Sequence, residues 1–373
     1  MSSIWGERYK VSLFGESHGS AIGVVIDGCI PGVKVDENFV KSEMQRRSPR
    51  GFKDVAEANL VTPRAEADEY EILSGVVNSY TTGTPICVMI RNTDKRSGDY
   101  TEFKNMPRPG HADYTGQIRY KGMNDIRGGG HFSGRITAGL VFAGALAKQI
   151  LSERGIYIGA HLKKICTCED ESFQEENMNQ ENFSKLRDMR IPVVDENMGD
   201  KFRETIKNAR ENADSVGGVV EVGIIGLEPG FGNPFFDSVE SRLAHILFSI
   251  PGVKGVEFGM GFGIAEMTGS EANDEFYFDE SDGRRVKTRS NNNGGINGGI
   301  TNGMPLVFRV AFKPTPSIEK TQRTVDLSQG RDVEFNIKGR HDPCIAIRGV
   351  SVTESAAAIC ILDILLNGGF FNG

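Results

Sequence analysis

The chain has 373 residues, of which 25% are charged and 38% apolar, with a mean hydropathy of −0.30 and a net charge of −7. That length buries a substantial core as one large domain or two ordinary ones, and the composition is that of a folded soluble protein rather than of a membrane or disordered class. Six cysteines, four of them isolated at 29, 87, 344 and 360, are too sparse for a disulfide framework and fit reduced thiols.

In chain order, the opening MSSIWGERYK holds no apolar stretch of signal-peptide length, which predicts a cytoplasmic protein. GESHG at 15–19 follows a short apolar run. Its glycines form a tight turn that either holds His18 toward a cleft as a proton donor or leaves it idle on the surface. Ser17 directly precedes His18, which is poor geometry for a serine nucleophile and its base. Residues 22–27 read as a strand. A helix beginning near Asp36 ends in MQRRSPRGFK at 44–53, where Arg46 and Arg50 either complement the helix C-terminus or face a site. Pro49 turns the chain beside Arg47 and favours a site role for it, with Lys53 close behind.

After a strand at 85–91 come RPGHADYTGQIR at 108–119 and RGGGHFSGRITA at 127–138. Together they gather four arginines and two histidines around three consecutive glycines. Glycines let the backbone approach a ligand closely, and guanidinium forks bind carboxylates and phosphates through paired hydrogen bonds. The pattern predicts a polyanion site with proton-transfer groups built in. The small-residue run 136–150 is broken by Gly139, Gly144, Lys148 and Gln149 and is too short to span a bilayer, so no membrane association is expected.

Cys166 and Cys168, near His161, are simple thiols or a metal pair, and one-residue spacing is poor for zinc. No metal site is expected. EDESFQEENMNQEN at 169–182 carries six acids and no lysine or arginine, and reads as a solvated loop. Without it the chain is nearly balanced. Clustered arginines in an acidic protein then favour a small anionic ligand over nucleic acid.

Phe202, Ile206, Ala209, Ala213 and Val216 predict a helix stopping at Gly217 and Gly218, followed by a strand at 219–226. Val239, Leu243, Ile246 and Ile250 form another helical stripe. His161 and His245, in or near apolar segments, read as packing residues. GMGFG at 259–263 lacks the full dinucleotide fingerprint, and no Walker A sequence occurs. NNNGGINGGITNG at 291–303 reads as a ligand-facing loop. Leu306, Phe308, Val310 and Phe312 alternate with more polar positions as a strand with one buried face. GRHDPCIAIR at 339–348 sets Arg340, His341 and Asp342 on a turn that binds an anion and moves a proton, or is merely anchored by Asp342. Residues 351–354 have capping-box form ahead of an apolar helix at 356–366. The mixture lacks a strict βαβ rhythm and predicts an α+β fold with largely antiparallel sheets.

GESHG, RPGHADYT, RGGG followed by Ser133 and Arg135, and GRHDPC occur in that order, with NTDKRSGDY at 92–100 and KPTPS at 313–317. On these motifs the chain resembles the chorismate synthase family from about Tyr9 to the final helix. The resemblance implies one catalytic domain over 1–373, a β-α-β sandwich of largely antiparallel sheets around helices, assembling as a homotetramer. It also implies conversion of 5-enolpyruvylshikimate 3-phosphate to chorismate by anti-1,4-elimination of phosphate, using reduced FMN (FMNH2) with no net redox change. NAD(P)H enters only as a candidate reductant of the flavin, at Arg47.

By the same resemblance, Ser17, Arg47, Arg127, Ser133 and Arg135 surround substrate, and His18 protonates the departing phosphate. His111 stabilises the reduced flavin's charge, and Asp342 is the base for the substrate proton. FMN lies against His131, Phe132 and Ser133, Gly298, then Lys313, Pro314, Thr315, Pro316 and Ser317, and Arg340. The family pattern has arginine and serine where this chain has His131 and Phe132, so contacts there are expected from the backbone. Ser48 and Lys53 likewise replace arginines, which weakens a nicotinamide site. Two other classes compete: a flavin oxidoreductase that steadily consumes NAD(P)H, and an RNA-binding module, against which the acidic charge and the scarcity of aromatics among the arginines both count.

Overall fold

Short β-branched strands and two helices that are apolar on every side determine the layering. The computed structural model describes residues 3–49, 60–62, 67–93, 104–337 and 341–369. Arg50, Lys53 and Arg340 lie outside the described residues, as do parts of NTDKRSGDY and GRHDPC. Strands β1 (Ile4–Trp5), β2 (Lys10–Gly15), β3 (Ala21–Asp27), β4 (Tyr70–Ser74) and β5 (Ile86–Arg91) form an antiparallel sheet in the order β1-β2-β3-β5-β4. Its register sets Val24 opposite Val88 and Ile26 opposite Val11, all on the buried face. Strands β6 (Tyr157–Ile165), β7 (Cys168–Glu169), β8 (Gly218–Ile225), β9 (Val253–Phe258) and β10 (Leu306–Phe312) form a second one, ordered β9-β10-β8-β6-β7. In β10 burial alternates residue by residue as its sequence predicts, and Val310 pairs with Val220 and Val256.

The longer helices are α1 (Glu37–Arg47), α2 (Asp113–Arg119), α3 (Thr137–Ser152), α4 (Gln180–Asp188), α5 (Glu196–Glu211), α6 (Val239–Leu247) and α7 (Ala346–Asn367). Helices α3 and α7 pack on each other; α3 touches β2, β3 and β5, and α7 touches β6, β8 and β10. A helix apolar all round is stable only when covered all round, which this position between two sheets supplies. The approach is close: a Cβ on Gly144 would overlap Ser355, and one on Gly349 would stand 2.8 Å from the Phe312 ring. The result is an α+β fold, sheet against helices against sheet. Helix α7 is long and apolar enough to cross a membrane, but 94% of its most apolar stretch is buried inside the protein.

Two helix ends differ from the sequence reading. Helix α5 stops at Glu211, because Ala213 adopts a left-handed φ of 54° and Val216 leaves to donate its N–H to the Pro343 carbonyl. The capping-box letters at 351–354 fall inside α7, which starts at Ala346. There the Thr353 and Ser355 hydroxyls donate to the Gly349 and Ser351 carbonyls at 2.8 and 2.7 Å, bonding back along the helix instead of capping it. Glu354 belongs to a buried cluster, accepting from Arg46 of α1 at 2.6 and 2.8 Å and from Lys148 of α3. Lys148 also reaches Glu43 at 2.6 Å. Arg46 thus ties helices together rather than complementing a helix end.

The acidic stretch is not simply solvated. Phe173 and Met178 are buried with Phe183 and Leu186 in a small satellite core, and Asp170 is 3% exposed. His161 is not an apolar packing residue either. It is fully buried, with Nδ1 3.1 Å from Asp170 and Nε2 3.0 Å from Glu221. The Val194 amide donates to Asp170 at 2.6 Å and the Phe173 amide to Glu221 at 2.7 Å, so the trio fastens residues 170–195 to the sheet.

Burial pushes the His161 imidazole down, but the hydrogen bonds and charges of two carboxylates outweigh it and hold its pKa above the ordinary value of 6.5. A raised folded pKa stabilises fully below the unfolded value, and that stabilisation is lost as pH rises through the folded pKa. Urea unfolding between pH 6 and 9 should therefore show a decline in stability above about pH 6.5. The decline should disappear in His161→Gln, and an identical decline in the variant would contradict the assignment.

Candidate active site

The first turns of α3 and α7 open into one cavity of about 850 Å³, a size suited to a small-molecule site. The end of α1, the turn before α2, the triglycine turn before α3, the segment after β10 and the turn before α7 converge on it. Among the residues named from sequence, Arg47, His111, His131, Phe132, Ser133 and Arg135 line this cavity. So do Lys313, Thr315, Pro316, Ser317 and Asp342.

Arg47 is the last residue of α1 and is 1% exposed; Arg135, in the helical turn leading into α3, is 5% exposed. Both grip one carboxylate. Arg47 donates from Nε to Asp68 at 2.7 Å and from Nη1 to the Gly134 carbonyl at 3.2 Å; Arg135 pairs with the other Asp68 oxygen and donates from Nε to Asn92 at 3.1 Å. Two buried guanidinium groups without an anion would be strongly unfavourable, and Asp68 supplies that anion.

The triglycine turn lies between the two catalytic histidine candidates. Gly128, Gly129 and Gly130 take φ values of 66°, 117° and 53°, a left-handed run that side chains resist. A Cβ on Gly128 would collide with the His18 ring, and one on Gly129 would come within 3.3 Å of His111 Nε2. His18, 4% exposed, sits behind Gly128 with its Nδ1 3.2 Å from Ser17 Oγ, which in turn reaches the Arg127 carbonyl. Gly128→Ala should displace His18 and lower stability by about 1–3 kcal/mol. Thermal melts and turnover of the purified variant check this, and wild-type values for both would refute the packing.

His111 Nδ1 is 2.6 Å from Asp113, whose carboxylate also takes Arg108 through two 2.7 Å bonds. Arg108 holds Asp113 ionised even though burial opposes it, so Asp113 accepts the Nδ1 proton of His111. Burial, with the charges of Arg108 and Lys313, lowers the His111 pKa in spite of Asp113. The neutral ring therefore turns Nε2 toward the glycines as an acceptor.

Asp342 accepts the Thr62 amide at 2.8 Å and pairs with Arg348 of α7, which fixes its carboxyl group in place at the cavity wall. Lys313 donates to the Gly110 carbonyl, and burial with nearby Lys254 lowers its pKa. His131 is used structurally: Nδ1 bonds the Gly15 carbonyl at 2.8 Å and Nε2 the Ser3 hydroxyl at 3.0 Å. Phe132 packs edge-on against Tyr120, with ring centroids 6.1 Å apart.

Among the described residues, five named from sequence do not line the cavity: Ser17, His18, Arg127, Pro314 and Gly298. Arg127 turns outward onto Asp125 through bonds of 2.9 and 2.7 Å, Pro314 is exposed, and Gly298 is the exposed tip of a short hairpin. Arg340 lies outside the described residues. The asparagine-rich loop is a folded turn rather than a ligand-facing one. The Asn292 and Asn293 amides fasten onto Asp274, and neither residue lines the cavity. His245 is exposed on α6 at the cavity edge, with its ring packed edge-on against Trp5 at 6.5 Å. Asp113 and Arg348 lay inside quoted motifs and could have been read as partners. Asp68, in a run of acids, gave no signal.

A family model described as chorismate synthase matches residues 9–366. The chorismate synthase of Thermococcus kodakarensis is 47% identical over 369 residues, covering 99% of both chains. That of Methanothermobacter thermautotrophicus is 43% identical over 367 residues, covering 98% of this chain and 95% of its own. A crystal structure of a chorismate synthase superposes with a TM-score of 0.74 at 29% identity, covering 98% of this chain and 93% of that one.

Proposed function

Since the chain belongs to the chorismate synthase family of lyases, we propose that it converts 5-enolpyruvylshikimate 3-phosphate to chorismate and phosphate by anti-1,4-elimination in the cavity described. The observation that carries this reading is the convergence of His111, Arg47, Arg135 and Asp342 from four separate segments around one space, with His18 packed against Gly128 of the triglycine turn at its edge. A substrate with two carboxylates and a phosphate needs buried cationic forks, and Arg47 and Arg135 present them.

The cavity also suits FMN. Lys313, Thr315 and Ser317 offer polar groups, and Phe132 with Tyr120 offers an apolar edge. These residues, with the backbone at 131–133 and Arg340, would hold it. Bound as FMNH2, it would supply transient electron density for C–O cleavage without net oxidation.

The protein's own groups handle binding and protons. We assign to His18, held beside the triglycine turn with its Nδ1 near the Ser17 hydroxyl, the proton given to the departing phosphate. Asp342, anchored by Thr62 and Arg348, accepts the proton lost from substrate. His111 accepts through Nε2 when neutral, so it donates to an anionic ligand only after taking up a proton, which such a ligand favours.

We extend the proposal to one catalytic unit over 1–373, a cytoplasmic location and a homotetramer. Phe235, Phe236 and Phe262, each at least 85% exposed, offer apolar surface for subunit contacts. NAD(P)H enters only as a candidate reductant of the flavin, outside the redox-neutral step. Anaerobic incubation with reduced FMN and the enolpyruvyl substrate tests the reading: chorismate absorbance should rise with one phosphate released per chorismate. Release of phosphate without chorismate, or no reaction, would reject it.

A further inference from the structure

Asp68 has no assigned part in the chemistry, yet its carboxylate holds two arginines that line the cavity. It is 2% exposed and held in a left-handed backbone conformation with φ 54°. One oxygen takes Nε and Nη2 of Arg47 at 2.7 and 2.6 Å, and the other takes Arg135. The forks are also fixed from behind: Arg47 by Gly134 and Thr137, and Arg135 by Asn92 and the Arg91 carbonyl. The carboxylate therefore does two things at once. It sets the spacing of the two guanidinium groups, and it cancels one of their two positive charges.

We propose that Asp68 is a positioning residue that determines specificity, trading general anion attraction for recognition of a shaped polyanion. Without it the wall would be more positive and its forks less constrained. Any small anion would then bind more tightly, whereas an extended molecule whose acidic groups must meet both forks would bind worse. A carboxylate in a buried cationic site lowers the field on every anion alike, but its geometric effect falls only on ligands that touch both arginines. This inference rests on the proposed reaction for the identity of the extended ligand; the small-anion half does not.

The test compares wild type, Asp68→Asn and Asp68→Glu in the full-length chain. Inorganic phosphate is titrated calorimetrically, and kcat/KM is measured with the enolpyruvyl substrate. For Asp68→Asn we expect phosphate affinity to rise by about threefold or more while kcat/KM falls by about tenfold or more. Asp68→Glu keeps the charge and moves the carboxylate, so phosphate affinity should stay within about twofold while kcat/KM falls. Its retained ion pairs make it the informative variant should Asp68→Asn not fold.

Parallel weakening of phosphate and substrate in either variant would reduce Asp68 to fold support and overturn the proposal. So would wild-type kcat/KM in either. If the wild-type chain does not turn over the substrate, the proposed reaction has failed, and the phosphate titrations still decide the charge effect of Asp68.

Discussion

His18→Ala lowers turnover by about 10²–10⁴-fold and leaves FMN binding nearly unchanged. The size follows from removing a general acid while keeping the cationic wall that binds substrate. His18 is 4% exposed and contacts Ser17 and the triglycine turn, whereas the arginine forks are held by Asp68 and Asn92 and do not depend on it. Steady-state assays with saturating reduced FMN, paired with flavin fluorescence titration, separate the two effects. Unchanged turnover would remove His18 from the reaction. Flavin affinity lost in proportion to turnover would show instead that the imidazole only supports the triglycine turn.

The second large effect concerns stability. Glu354→Gln should destabilise the fold by about 3–5 kcal/mol, a large part of a typical total, because it leaves buried Arg46 and Lys148 sharing Glu43 alone. Burial pushes the Glu354 carboxyl up, yet Arg46 and Lys148 overcome that and hold it well below the ordinary 4.5, at about 2. A depressed folded pKa stabilises fully above the unfolded value and is lost as pH falls through the folded one. Wild-type stability in urea should thus drop as pH falls from about 4.5 toward 2, and Glu354→Gln should lack that share of the slope. A variant as stable as wild type at neutral pH would mean the cluster contributes nothing.

The strands at 22–27, 85–91, 219–226 and 306–313 were legible because each is short, β-branched and alternates or runs apolar between turns. Helix ends were less so. Ala213 is a good helix former whose left-handed conformation comes from the chain having to reach Pro343, a contact that local sequence does not encode. The hydroxyls and Glu354 of α7 copied the letters of a cap while serving a buried interface. The contact of His111, which lines the cavity, with Asp113 was within reach of the sequence because both lie in one motif. The resemblance said nothing of Asp68, whose importance comes from two arginines at sequence separations of 21 and 67. His161 looked apolar by position, and only the pairing of β6 with β8 brings Glu221 to its ring.

A redox-neutral elimination in the arginine-lined cavity is tested most directly by counting turnovers per flavin. The chain is given excess enolpyruvyl substrate under anaerobic conditions, with about one reduced FMN per hundred substrate molecules and no nicotinamide nucleotide. Chorismate should accumulate far beyond the flavin present, and the flavin should remain reduced. Product limited to the amount of flavin, or formed only while NAD(P)H is consumed, would contradict a redox-neutral elimination.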